Sequence, residues 1–151
     1  MAGEPAFLLE RHLGRLARWL RLLGYDAALL QRPPAVVPPG RVLLTRRRRL
    51  RGRRGVVWVA ADRLEDQLRQ VMSELDLRPS SARRFSRCLD CNRPVEPVPR
   101  EEVAGLVPDY VLHTAERFTR CPGCGRVFWP GSHGRRAAER LARILGRRPR
   151  S

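Results

Sequence analysis

The chain contains no lysine: all 31 basic residues among its 151 are arginine. GC-rich codon usage would be the plain explanation for arginine in place of lysine. It does not account for the excess over 15 acidic residues, which leaves a formal charge of +16. A surplus of that size repels itself in the compact state and attracts polyanions. The planar guanidinium, with five donors in a fixed fork, suits phosphate and base stacking better than an ammonium does. Nucleic acid is therefore the expected partner. A merely soluble basic surface is the plainer alternative, and an anionic membrane is a weaker one because no amphipathic anchor is present. Long apolar runs are also missing. No stretch approaches the ~18 residues that a membrane span needs. The opening Met1-Ala-Gly-Glu-Pro5 has no basic region leading into an apolar run, so no signal peptide is expected. Acidic residues are absent from Ala27 to Ala61. Apolar residues make up 42%, enough for a modest core in one domain or two small ones.

Cysteine is scarce and confined to two pairs, Cys88-Leu-Asp-Cys91 and Cys121-Pro-Gly-Cys124, with 29 residues between them. A C-x-x-C turn presents two thiolates to one tetrahedral ion, and a second such turn completes the shell. Asn92 follows the first pair, and Gly123 and Gly125 flank the end of the second, as expected where backbone amides fold back toward sulfur. Four soft ligands with no position left for water suit a structural Zn²⁺. Two disulfides or four ordinary buried thiols are the competing readings, and a redox role is the weakest. Cysteines arranged for metal rather than for bridges point to a cytoplasmic protein.

Taken in order, Phe7-Leu8-Leu9 reads as a first strand ending at Glu10. Arg11 to Leu23 reads as a helix, closed by Gly24. Leu13, Leu16, Ala17, Leu20 and Leu23 share its apolar face. Arg11, Arg15 and Arg18 lie opposite, as a solvated face or a phosphate-binding track. Tyr25 to Leu30 is a second strand. Gln31 to Gly40 carries Pro33, Pro34, Pro38 and Pro39 and is an extended loop. Val42-Leu43-Leu44-Thr45 is a continuous apolar strand of the parallel type. Seven arginines then occupy nine positions from Arg46 to Arg54, too many to bury or pair, so an exposed basic loop is predicted. Val56 to Ala60 is the next strand. Asp62 with Glu65 resembles a capping box for a helix with Leu64, Leu68, Val71 and Leu75 on one face.

The pattern predicts a small α/β domain over residues 1–80 with a mostly parallel sheet and flanking helices. After a polar linker, Arg78 to Arg84, residues 85–134 read as a zinc ribbon. Its long insertion includes Pro94 to Pro99 and Glu101-Glu102. Phe118 and Val127-Phe128-Trp129 are its packed strands. Pro130-Gly131 turns the chain, and Ser132 caps a helix from Arg135 to Leu145, with Ala137, Ala138, Leu141 and Ile144 or Leu145 on its apolar side. Residues 135–151 form a basic helix and a frayed tail, with seven arginines between Arg135 and Arg150.

The landmarks together resemble a known family, the PIN-like ribonuclease domain named after the C-terminal part of the mut-seven exonucleases, which ends in a zinc ribbon. The matching runs are Phe7-Leu-Leu-Glu10, Leu13-Gly-Arg-Leu-Ala-Arg-Trp-Leu-Arg-Leu-Leu-Gly-Tyr-Asp26, Leu43-Leu-Thr-Arg46 and Leu64-Glu-Asp-Gln-Leu68. They continue with Phe85-Ser-Arg-Cys-Leu-Asp-Cys-Asn92 and Arg120-Cys-Pro-Gly-Cys-Gly-Arg-Val-Phe-Trp-Pro-Gly-Ser-His133. They cover nearly the whole length. The resemblance implies RNA cleavage with Mg²⁺ or Mn²⁺ held by acidic residues at strand ends, where the metal activates water.

The chain departs from that pattern at the acids. Glu10 stands where the family has Asp. Arg47 stands where the family has the Asp of Thr-Arg-Asp, so a cation replaces a ligand. The acidic helix of the family is replaced by the Pro-rich loop. The remaining candidate catalytic carboxylates are Glu10, Asp62 and Asp26, and Asp26 is also readable as a turn residue at a strand start. Divalent binding is therefore expected to be lost or much weakened.

The expected function is binding of structured RNA, such as ribosomal or precursor RNA, without cleavage. Cys88, Cys91, Cys121 and Cys124 would hold structural Zn²⁺. Arg11, Arg15, Arg18, Arg46, Arg47, Arg48, Arg49, Arg51, Arg53, Arg54, Arg135 and Arg136 are the candidate RNA contacts, with binding that falls as salt rises. Trp129 and His133 are candidates for stacking on RNA, although such a Trp more often packs the ribbon. His12 and His113 receive no role. The rival readings are a working Mg²⁺- or Mn²⁺-dependent ribonuclease and a ribbon module that docks on a ribonucleoprotein.

Overall fold

The computed structural model describes residues 4–146, so the expectations for the first residues and the tail beyond Gly146 lie outside the described range. The chain forms two compact units, one ending at Asn92 and the other beginning at Arg93.

In the first unit the apolar runs form strands β1 (Ala6–Glu10), β2 (Ala27–Leu30), β3 (Arg41–Thr45) and β4 (Val56–Trp58). They make a wholly parallel sheet in the order β2-β1-β3-β4. Side chains alternate across such a sheet. Phe7 and Leu9 are fully buried on one face. On the other, Leu8 and Leu43 pack with Ala28, Leu30 and Val56, and Val37 and Leu50 reach them from the connections. Helices α1 (Gly14–Leu22) and α2 (Leu64–Glu74) flank the sheet, burying Leu16, Ala17 and Leu20 from one and Leu68 and Val71 from the other. The predicted helix from Arg11 begins as a short 3₁₀ turn, Arg11–Leu13, before α1. Tyr25 is buried edge-on against Phe7, with ring centroids 5.6 Å apart. That burial raises its phenol pKa above the usual value.

The predicted cap at Gly24 is a Schellman turn. The Tyr25 amide donates to Leu20 O at 3.0 Å, the Gly24 amide donates to Arg21 O at 2.9 Å, and Gly24 has φ of 98°. A β-carbon there would also lie 2.6 Å from the Arg83 carbonyl oxygen. The left-handed conformation alone costs an L-residue about 1–2 kcal/mol. Gly24→Ala is thus expected to lower stability in urea by more than about 2 kcal/mol once the backbone clash is added, and an unchanged midpoint would contradict it.

The segment after α2 is less loose than its polar composition suggests. The Phe85 amide donates to Leu22 O at 2.9 Å, and Arg87 Nε donates to Gly24 O at 3.2 Å. Arg83 pairs with Glu4. Asp62 does not cap α2: Arg63 occupies the N-cap position and no side chain bonds there. Instead, two glutamines of α2 close the end of β4. Gln70 donates to Trp58 O at 2.7 Å and accepts from the Ala60 amide at 3.0 Å, and Gln67 donates to Ala61 O at 2.9 Å. This explains why the strand stops at Trp58 rather than Ala60.

The second unit contains an antiparallel sheet of β5 (Glu96–Val98), β6 (Phe118–Arg120) and β7 (Val127–Phe128), in that order. The insertion between the cysteine pairs is itself folded. It supplies β5, a 3₁₀ turn at Arg100–Val103 and helix α3 (Asp109–Thr114). Val103, Val107, Val111 and Ala115 bury together with Phe118. Arg100 lies over the Phe118 ring and donates to the carbonyls of Leu112 and Ala115 at the end of α3, where carbonyls lack helical partners. Helix α4 (Ser132–Gly146) begins three residues earlier than predicted, with Leu141 and Ile144 buried.

Candidate functional site

In an open α/β sheet, ligands gather outside the carboxyl ends of the strands where strand order reverses. Here β1 connects to a neighbour on one side, and β3 lies on its other side, so that point falls between β1 and β3. Glu10 ends β1 and Thr45 ends β3.

The Glu10 side chain is only 3% exposed, and an uncompensated carboxylate cannot persist there. The Thr45 hydroxyl donates to Glu10 Oε1 at 2.7 Å, and Arg47 Nε lies 3.2 Å from the same oxygen. The Arg47 amide in turn donates to Thr45 Oγ1 at 3.0 Å, which fixes the hydroxyl. The second oxygen, Oε2, accepts no hydrogen bond among the described residues and faces His12 Nε2 at 3.4 Å.

The structure does not bring the three candidate acids together. The Asp62 side chain is 88% exposed and bonds to Arg46 Nη2 at 2.6 Å. Arg46 also donates to Val59 O at 2.9 Å and Ala61 O at 2.7 Å, so it is committed to its own backbone. Asp26 precedes β2, whereas Glu10 pairs with Leu30 at its far end. Four residues of strand, about 13 Å at ~3.3 Å each, separate them. Mg²⁺ needs a near-octahedral set of oxygens anchored by carboxylate. An ion at Glu10 would have the Arg47 guanidinium beside it and neither Asp62 nor Asp26 as a second carboxylate, so these residues as arranged do not fit Mg²⁺ or Mn²⁺.

Asp26 has other partners. It accepts from Asn92 Nδ2 at 2.6 Å, while Asn92 Oδ1 accepts from the Ala27 amide at 2.9 Å. Asn92 follows Cys91, has φ of 64°, and donates its amide to Cys88 O at 2.9 Å. Gly125 repeats this after Cys124, with φ of 77° and its amide on Cys121 O at 2.9 Å. Each C-x-x-C thus closes in a left-handed residue, and an amide points at the first sulfur of each pair. Cys91 N lies 3.5 Å from Cys88 Sγ and Gly123 N lies 3.3 Å from Cys121 Sγ.

The ligand atoms of Cys88, Cys91, Cys121 and Cys124 all lie within 4.8 Å of one another. A tetrahedral ion with metal–sulfur bonds of about 2.3 Å sets its ligands about 3.8 Å apart. The four thiols therefore fit Zn²⁺ with little adjustment. Cys88 and Cys121 are buried, but Cys124 is exposed, so these are not four ordinary buried thiols. Among the described residues, they form the one group of three or more metal-ligating side chains.

Arg21 holds the first cysteine turn from below. It is 6% exposed and donates to Ala27 O at 2.9 Å and Leu89 O at 2.7 Å. Burial and the nearby Arg18 lower its pKa from the usual arginine value, against the opposing pull of Asp90. Arg18 itself bonds Asp90 at 2.7 Å.

A sequence model described as the Mut7-C RNAse domain matches residues 5–141. The chain belongs to the Mut7-C RNase domain family. Neither a curated protein nor a solved structure matches it. Within the Mut7-C chain, Arg11, Arg15, Arg18, Arg135 and Arg136 are exposed, as are Arg47, Arg48, Arg49, Arg51, Arg53 and Arg54, and Arg46 is half-buried. Trp129 is 37% exposed, and His113 and His133 are exposed. Thr45, Arg21 and Trp58 were not singled out by sequence reasoning. Thr45 ends an apolar run, which is a signal for it, but nothing in the local sequence distinguishes Arg21 from 30 other arginines.

Proposed function

We propose that this Mut7-C domain binds RNA through its arginine-rich strand ends and does not cleave it, with Zn²⁺ in a structural role at the four cysteines. The observation that carries the proposal is the Arg47–Glu10 pair at 3.2 Å. A cation from the chain itself sits on the one buried carboxylate at the point where such a sheet presents ligands. The surrounding positive charge remains suited to phosphodiester oxygens, which arginine engages through its planar fork.

The test is incubation of purified protein with an end-labelled structured oligoribonucleotide in Mg²⁺ or Mn²⁺. Retarded but intact RNA is expected. Family membership favours a second reading, a working ribonuclease that uses Glu10 and Asp62. Metal-dependent cleavage that disappears in Glu10→Ala would establish that reading and defeat ours.

A further inference from the structure

The arginine run after β3 is an ordered turn. Arg48–Leu50 forms a 3₁₀ turn, and Leu50 is buried against Leu8 and Leu43 of the sheet. The chain closes through Arg51 N on Arg48 O at 3.0 Å and Val56 N on Arg53 O at 3.1 Å. Gly52 and Gly55, with φ of 82° and 75°, supply the left-handed positions it needs. The backbone that carries these guanidiniums is thus fixed by a buried leucine rather than by a ligand.

At its side stands Trp58, the last residue of β4. Arg48 Cζ lies 5.9 Å from the Trp58 ring centroid and Arg51 Cζ lies 5.5 Å from it. The indole N–H donates to Arg46 O at 3.3 Å, which orients the ring. A guanidinium this close to an indole is attracted by the ring's quadrupole. It keeps its edge N–H groups for phosphate, and it has given up in advance part of the rotamer freedom that binding would remove.

We infer that Trp58 is a positioning residue for RNA binding, holding Arg48 and Arg51 as a paired guanidinium clamp for adjacent backbone phosphates. This rests on the RNA-binding reading above and goes beyond it by assigning affinity to a side chain that carries no charge. Trp58 acts through the two arginines. Removing it leaves the number of cations unchanged but loosens two of them.

The salt dependence separates these effects. Affinity for a fluorescein-labelled RNA hairpin is measured by anisotropy over a series of salt concentrations, with thermal melting as the check on folding. Trp58→Leu is expected to weaken binding about five- to tenfold with the log–log salt slope unchanged, since that slope counts phosphate neutralisations. The Arg48→Ala, Arg51→Ala double variant is expected to flatten the slope by about 1.4 to 1.8. Trp58→Phe, which keeps an aromatic face, should recover most of the affinity. Wild-type binding with Trp58→Leu indistinguishable from it would overturn the inference. So would Trp58→Phe binding as weakly as Trp58→Leu while both melt as wild type. No binding by the wild-type protein would overturn the RNA-binding reading and this inference with it.

Discussion

Cys121→Ser is expected to release the bound metal and abolish cooperative melting of the residues around it. Cys121 is fully buried, and its sulfur faces the Gly123 amide at 3.3 Å. A serine hydroxyl is a poor replacement for a thiolate that a soft, borderline metal prefers. In small zinc modules, metal binding is worth roughly 10–16 kcal/mol and is inseparable from folding. The antiparallel sheet, with β7 only Val127–Phe128 long, otherwise closes its turn through short-range bonds such as Gly125 N on Cys121 O and Cys121 N on Arg126 O, both 2.9 Å. Plasma mass spectrometry should find about one zinc per wild-type chain and far less in the variant. The companion Cys88→Ser should loosen the turn that Asn92 anchors, read as faster hydrogen exchange at the Ala27 amide, which donates to Asn92 Oδ1. Full zinc content with an unchanged melt in Cys121→Ser would remove the structural role.

RNA affinity should fall about a hundredfold between 50 and 200 mM salt, the second large effect. Arg46 is committed to Val59, Ala61 and Asp62, and Arg47 to Glu10. Arg48, Arg49, Arg51, Arg53 and Arg54 remain exposed along one short turn. Five phosphate contacts at ~0.7 released counterions each predict a log–log slope near −3.5 for a single strand, and a fourfold rise in salt then gives the hundredfold loss. Replacing all five with serine should flatten that slope by about 3.5, and any residual dependence would report contacts from Arg11, Arg15, Arg18, Arg135 or Arg136. Binding to a ribonucleoprotein that persists at high salt, and after nuclease treatment, would instead favour the ribbon as a protein-docking module.

The short-range features of the fold were legible in the sequence. Apolar runs at Phe7–Leu9 and Val42–Thr45 became parallel strands because consecutive residues are buried on both faces, Phe7 and Leu9 on one and Leu8 and Leu43 under Leu50 on the other. Gly24 marked a helix end because a left-handed residue there needs no β-carbon. Elements whose partners are distant in sequence were not legible. Helix α3 was missed because Val111 is its one buried residue, while Val103, Val107 and Ala115 lie outside its bounds and share a core with it only around Phe118. Asp62 was misread as a cap because Arg46, sixteen residues away, competes for its carboxylate.

The sequence by itself determined the family, the two paired cysteine turns and the surplus of positive charge, because each depends only on which residues are present and how they are spaced. Only the tertiary structure decided the company each carboxylate keeps. The parallel register sets Glu10 beside Thr45 and Arg47 and sends Asp26 to the opposite end of the sheet, under the cysteine turn. A carboxylate's chemistry is fixed by charges and donors within a few ångströms, and strand order, not sequence distance, chooses those neighbours.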